Sequence, residues 1–179
     1  GGGTIDTLSN NTYSFKEVGG VKYLDTKLAT SAAYMKSSAI NVGASFTINF
    51  KFKASTIPIH AVILHFNNVE IAIMNNKIGY VLGSGFMYTT ITPVVDTWYD
   101  VTVTVNGAAA RIYVNGVLAT MSGSAGYGIV ATNYIGLFGR SADKSAPFVG
   151  GITGVRIINR AITDKEAMIL YGDKPEQGI

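Results

Sequence analysis

The reactive inventory of this 179-residue chain is small: eleven carboxylates, two histidines and no cysteine. Hydrolysing a glycosidic bond with retention takes two carboxyl groups about 5 Å apart across the scissile bond. The close pairs of acids beside predicted elements are Asp96 with Asp100, which flank a strand, and Asp164 with Glu166, which open a helix. Neither pair supplies that geometry. His60 and His65 are five residues apart in one strand region, and strand alternation therefore puts them on opposite faces. No serine has the glycine neighbours of a nucleophile elbow. The absence of cysteine rules out thiolate metal sites and disulfide staples. Calcium needs six to eight oxygens. Asp25, in an early loop, and Asp143, in a later one, are the available ligands, and two separated acids read better as solvated loop groups.

Recognition asks for different residues. Sugars are held by aromatic faces that stack on their C–H surfaces, with amide, carboxylate and guanidinium groups on the hydroxyls. Trp98, Tyr113 and Arg111 share the outward face of one hairpin by parity, and Tyr88, Tyr127, Arg140 and Asp143 fall on or near loops. These seven are the candidate ligand contacts, each set against its ordinary use as a strand or surface residue.

The hairpin that positions three of them is the clearest element. Val101, Val103 and Val105 alternate with Asp100, Thr102 and Thr104, and Ile112 and Val114 alternate with Arg111, Tyr113 and Asn115. Keeping both apolar sets on one buried face pairs Val103 with Ile112 and Val101 with Val114, with Asn106-Gly107-Ala108-Ala109 as the loop. Tyr113 then lies opposite Thr102. A second turn follows at Asn115-Gly116. Upstream, Phe46, Ile48, Phe50 and Phe52 form the strongest core stripe. Tyr13–Phe15, Val21–Leu24, Ala61–Phe66, Val69–Met74, Ile78–Leu82 and Phe86–Thr92 read as further strands. The segments Ser122–Gly128 and Gly139–Pro147 read as loops. Thr163-Asp164-Lys165-Glu166 is a capping box that starts a short helix through about Tyr171, with Gly172 as its stop.

These pieces resemble the concanavalin A-like lectin/glucanase superfamily, most closely its laminin G-like branch. Carrying the resemblance are the run from Trp98 to Gly107 with Arg111–Gly116, the strand Ser45–Lys53, Tyr134-Ile135-Gly136, and the closing strand Phe148–Thr163. It covers about residues 20–172 of a single domain spanning 1–179. It implies an all-β, two-sheet antiparallel β-sandwich (jelly roll) with a short C-terminal helix. The superfamily's glucanases carry Glu-x-Asp-x-x-Glu on one strand, a motif missing here. Lys51 stands where the family often has tryptophan, and Thr153-Gly154 where it often has Asp-Glu, which weakens any inherited calcium site.

Composition narrows the partners. Charged residues make up 14% of the chain, mean hydropathy is +0.28 and the net charge is +3. The cations are dispersed, whereas phosphate-backbone binding needs a clustered basic patch, so nucleic acid is not expected. No apolar run approaches the roughly 18 residues that span a bilayer, so membrane insertion is not expected either. Apolar content this high suggests that a partner covers some of the surface. Two readings follow. One is a non-catalytic module that binds a glycan or cell-surface receptor, extracellular or on a cell surface, from a bacterial surface protein or a phage tail or fibre. The other is an assembly subunit of a virion or extracellular filament. No cofactor is expected.

Overall fold

A computed structural model describes residues 5–8, 14–18, 20–26, 35–37, 40–66, 69–82, 85–107, 109–124, 132–133, 135–139 and 146–172. Along the chain the strands are β1 (Ile5–Leu8), β2 (Ser14–Val18), β3 (Val21–Asp25), β4 (Met35–Ser37), β5 (Ile40–Asn41), β6 (Ser45–Ala54), β7 (His60–Phe66), β8 (Val69–Met74) and β9 (Lys77–Leu82). They continue with β10 (Gly85–Thr89), β11 (Trp98–Asn106), β12 (Ala109–Val114), β13 (Val117–Leu118), β14 (Met121–Ser124), β15 (Thr132–Asn133), β16 (Ile135–Leu137) and β17 (Gly150–Ile158). One helix, α1 (Asp164–Gly172), closes the described chain.

Two antiparallel sheets form the sandwich. One runs β1-β4-β16-β7-β8-β9-β10-β14, the other β13-β12-β11-β6-β17-β3-β2, and β5 pairs separately with β15. Alternation dictates what lies between the sheets. Phe46, Ile48, Phe50 and Phe52 of β6 and the three valines of β11 are at most 1% exposed, and they meet Ile63, Phe66, Ile71 and Ile78 of the facing sheet. Phe46 and Phe66 touch edge to face across the interface, with centroids 5.7 Å apart. Tyr80 is also buried there, and its hydroxyl has no hydrogen-bond partner among the described residues. Burial pushes its pKa well above the usual phenol value.

The hairpin register is the one the valines demand: Val101 faces Val114, and Val103 faces Ile112. Asn106 also pairs with Ala109, so the pairing extends one residue pair into the expected loop. At the next turn Asn115 and Gly116 both take positive φ, 51° and 77°, the geometry that suits a tight hairpin. Asn115 anchors that turn by donating its N–H to Asp100 O and accepting the Asp100 N–H on Oδ1.

Helix α1 begins as the capping box requires. The Thr163 N–H donates to Glu166 Oε2 at 2.8 Å, and the Glu166 N–H returns to Thr163 Oγ1 at 3.3 Å. Two expected boundaries move. The strand starting near Phe86 ends at Thr89, well before Pro93, and Met121–Ser124 is a strand bonded to β10 where a loop was expected. This close approach depends on Gly123: at φ 101°, a Cβ there would meet Phe86 O at 2.1 Å.

Candidate functional site

The sandwich separates the expected ligand contacts. Trp98, Arg111 and Tyr113 lie on the outer face of the seven-stranded sheet, whereas Tyr88 lies on the outer face of the eight-stranded sheet, with the core between them. Tyr127, Arg140 and Asp143 fall outside the described residues.

On the first of these faces, one end is closed. Tyr113 does stand opposite Thr102, but its ring is only 1% exposed because Ile162 and Ala167 pack over it. Thr47 and Thr104 secure the segment leading into α1. Thr47 Oγ1 donates to Arg160 O, and Thr104 Oγ1 accepts the Ile162 N–H. The Tyr113 hydroxyl donates to Asp164 Oδ1 at 2.7 Å, and Arg111 Nη1 reaches the same oxygen at 3.1 Å. Burial and the neighbouring Asp164 carboxylate raise the Tyr113 pKa. The outward face predicted for Tyr113 is thus covered by the helix, and Arg111 borders an open cleft of about 470 Å³ beside Thr163 and Asp164. Asp25 sits at the end of β3, not in a loop. It is 6% exposed, with its carboxylate 2.5 Å from Lys16 Nζ, so a cation already occupies that candidate calcium ligand.

The outer face of the eight-stranded sheet is different. Strand parity put His60 and His65 on opposite faces; the structure puts them on the same one. The reason is a β-bulge between Val62 and Leu64. His60 faces Met74, Val62 faces Ala72 and His65 faces Glu70, so all three pair with even-numbered residues of β8. An extra residue in one strand reverses the alternation beyond it. Ile63 and Leu64 both turn inward and are fully buried, and the two histidines share the outside. His60 Nε2 comes within 3.8 Å of Glu70 Oε2, a contact that becomes an ion pair when His60 takes a proton.

Registers in β8, β9 and β10 extend this surface across the sheet. One row runs Val62, Ala72, Gly79, Tyr88 and Ser122, and the next runs His65, Glu70, Val81, Phe86 and Ser124. Val62, Ala72 and Gly79 make a floor that is itself buried, with Ala146 packed against it. A Cβ on Gly79 would already stand 3.2 Å from Met87 O and 3.4 Å from Met74 Sδ. On one side of the floor are Tyr88 and Phe86, the latter 45% exposed; on the other are His60 and the more deeply set His65 and Glu70. With strands spaced by about 4.8 Å, β7 to β10 spans about 14 Å. The result is a shallow trough: Tyr88, Phe86, His60 and the serine hydroxyls reach its surface, whereas His65 and Glu70 are only 9% and 7% exposed. Its four strands contain a single carboxylate, Glu70. Among the described residues, no group of three metal-ligating side chains is arranged to hold an ion. Tyr88, Phe86, His60 and the serines, the groups of this surface that reach solvent, can stack and hydrogen-bond a ligand.

The pattern of the concanavalin A-like lectin/glucanases superfamily, in its laminin G-like form, matches residues 19–168. The chain belongs to that superfamily. No curated protein matches it. Among solved structures it is similar to domain 4 of AbnA, an extracellular arabinanase from Geobacillus stearothermophilus, solved in complex with arabinotriose. The identity is 16%, the match covers 91% of this chain and 82% of that one, and the TM-score is 0.67. It is similar to a heptameric pentraxin from Limulus polyphemus at 12% identity, covering 89% and 80%, with TM-score 0.67. The receptor-binding domain of botulinum neurotoxin type G aligns at 16% identity over 96% of this chain, with TM-score 0.67; this chain spans 46% of that domain. These likenesses establish the jelly-roll fold. No described helix is long and apolar enough to cross a membrane.

The trough was missed in the sequence because alternation was applied without a bulge. One signal was available: Ile63-Leu64, two consecutive large aliphatics between the histidines. If both belong to the core, the histidines must share the other face.

Proposed function

We propose that this chain is a non-catalytic glycan-recognition module acting outside the cell or at its surface, with the trough on the eight-stranded sheet as its binding site. The observation that carries this reading is the β7 bulge, which sets His60 and His65 beside Glu70 and across a small-residue floor from Tyr88 and Phe86. A sugar ring stacks on Tyr88 or Phe86 while its hydroxyls meet the exposed part of His60 and the serine hydroxyls of β14. Glu70 is the one carboxylate of the trough among the described residues, which supply no acid and nucleophile pair there. The relative solved with arabinotriose and the neurotoxin receptor-binding domain support the reading by fold.

The test is a glycan array probed with wild type, Tyr88→Ala and His60→Ala. Reproducible binding that falls by about tenfold in Tyr88→Ala, the value of one aromatic contact, supports the proposal. Binding that survives both substitutions, or no glycan bound at all, removes it.

An assembly role has its own supporting observation. Val117 and Leu118 on edge strand β13 and Met168, Ile169 and Tyr171 on α1 are 46–70% exposed, and α1 contacts β13. Concentration-dependent growth in light scattering, abolished by Met168→Lys, would favour that reading.

A further inference from the structure

The open end of the other outer face carries a second combination of groups. Trp98 of β11, Lys53 of β6, Gly151 of β17 and Asp25 of β3 form one row across the seven-stranded sheet. Gly151 leaves room for two rings to meet above it. A Cβ there would lie 2.8 Å from Tyr23 Cδ2 and 3.1 Å from Trp98 Cη2. Tyr23 meets Trp98 edge to face, with centroids 5.1 Å apart at 79°. The Lys53 ammonium sits 5.0 Å from the Tyr23 centroid and 5.4 Å from that of Trp98. The indole is therefore fixed in orientation, partly exposed, and accompanied by a cation.

Charge on this face is layered. Asp25 and Asp100 are only 6% and 4% exposed. Lys16 stands over the first at 2.5 Å and Lys51 near the second at 3.8 Å, and both lysine side chains are about a third exposed, at 35% and 28%. The acids form the lower layer and the ammonium groups the upper one. Lys53 pairs with no carboxylate among the described residues, so its charge stands beside the indole without an acidic partner. A ligand approaching Trp98 meets an aromatic ring and the Lys53 ammonium beside it.

We propose that this face is a second binding surface, for an anionic saccharide. The sugar ring stacks on Trp98, its carboxylate or sulfate accepts from Lys53, and Lys51 and Lys16, each paired with a buried acid, extend a track of ammonium donors across the strands. Over β2 to β11 that track spans about 19 Å at the usual strand spacing. A single indole with three dispersed lysines suits a saccharide better than single-stranded nucleic acid, which uses successive stacking platforms along a continuous basic groove. The inference is independent of the trough, because the two surfaces lie on opposite sides of the core.

The experiment is calorimetric titration with trigalacturonate and with its methyl ester, which keeps the rings and removes the charge. Wild type is expected to bind the acid about fivefold more tightly than the ester, a margin that shrinks between about 50 and 200 mM salt. Lys53→Met should erase the margin while leaving ester binding in place. Trp98→Phe, chosen because it still covers Tyr23, should weaken both ligands. Lys165→Met, which removes an exposed lysine of α1, should change neither. Equal affinity for acid and ester, loss of acid binding in Lys165→Met but not Lys53→Met, absence of any binding, or tighter binding of a short oligothymidylate would each overturn the proposal.

Discussion

Tyr113 separates packing from recognition, because it lies on an outward face that the structure closes. Replacing it with phenylalanine removes the 2.7 Å donation to Asp164 Oδ1 and the hydroxyl's contact with Arg111. Asp164 has a side chain 62% exposed and keeps Arg111 at 3.1 Å, so water can take the vacated position. The expected cost is therefore that of a modest exchange, about 0.5–1.5 kcal/mol. Replacing Tyr113 with alanine also removes a fully buried ring from the cluster of Ile162 and Ala167, flanked by Ile158 and Leu170. Emptying an aromatic site of this kind costs about 3–5 kcal/mol. Urea unfolding at neutral pH measures both, with the midpoint shifting and the slope unchanged if the transition stays two-state. Binding in the trough should be unaffected by either substitution in molecules that remain folded. The reasoning fails if Tyr113→Ala costs less than about 1 kcal/mol, or if Tyr113→Phe costs as much as Tyr113→Ala.

Two further predictions concern stability. Tyr80 buries a hydroxyl with no partner among the described residues, so Tyr80→Phe should stabilise the fold by about 1 kcal/mol, raising Tm by about 2–4 °C; a lower Tm contradicts this. Glu166 is held at a pKa of about 2, against an ordinary value of 4.5, by Arg160 first and then by the backbone and side chain of Thr163. A depressed carboxylate pKa stabilises the folded state above the unfolded value, and that contribution is lost as pH falls through the folded value. Wild type should therefore lose stability relative to Glu166→Gln as pH falls from 4.5 towards 2, and parallel melting curves across that range would contradict the assignment.

The residues that made the fold legible are those whose alternation is uninterrupted. The valines of β11 and the aromatics of β6 each have one face to bury, so a slip of one residue would expose the whole set, and register followed from pattern. The helix start was equally plain, because Thr163 and Glu166 satisfy each other's amides without help from distant residues. The sites were harder to read because both depend on departures from regularity or on distant chain. A bulge at Ile63-Leu64 reverses β7, and neither histidine alone announces it. Covering of Tyr113 depends on residues about fifty positions later, and the placing of Trp98 on Tyr23 depends on Gly151 two strands away. Parity named which side of a strand each residue faces; it had no means of naming what lies on top.

The central claim is that the trough between Tyr88 and His60 holds a glycan. The most direct measurement is chemical-shift mapping, in which the strongest glycan from the array is titrated into isotope-labelled protein. The account predicts saturable shifts centred on the amides of Ala72, Gly79, Val81 and Tyr88, and their loss in Tyr88→Ala at unchanged melting temperature. Shifts confined to other surfaces, or a Tyr88→Ala variant that binds as wild type does, would contradict it.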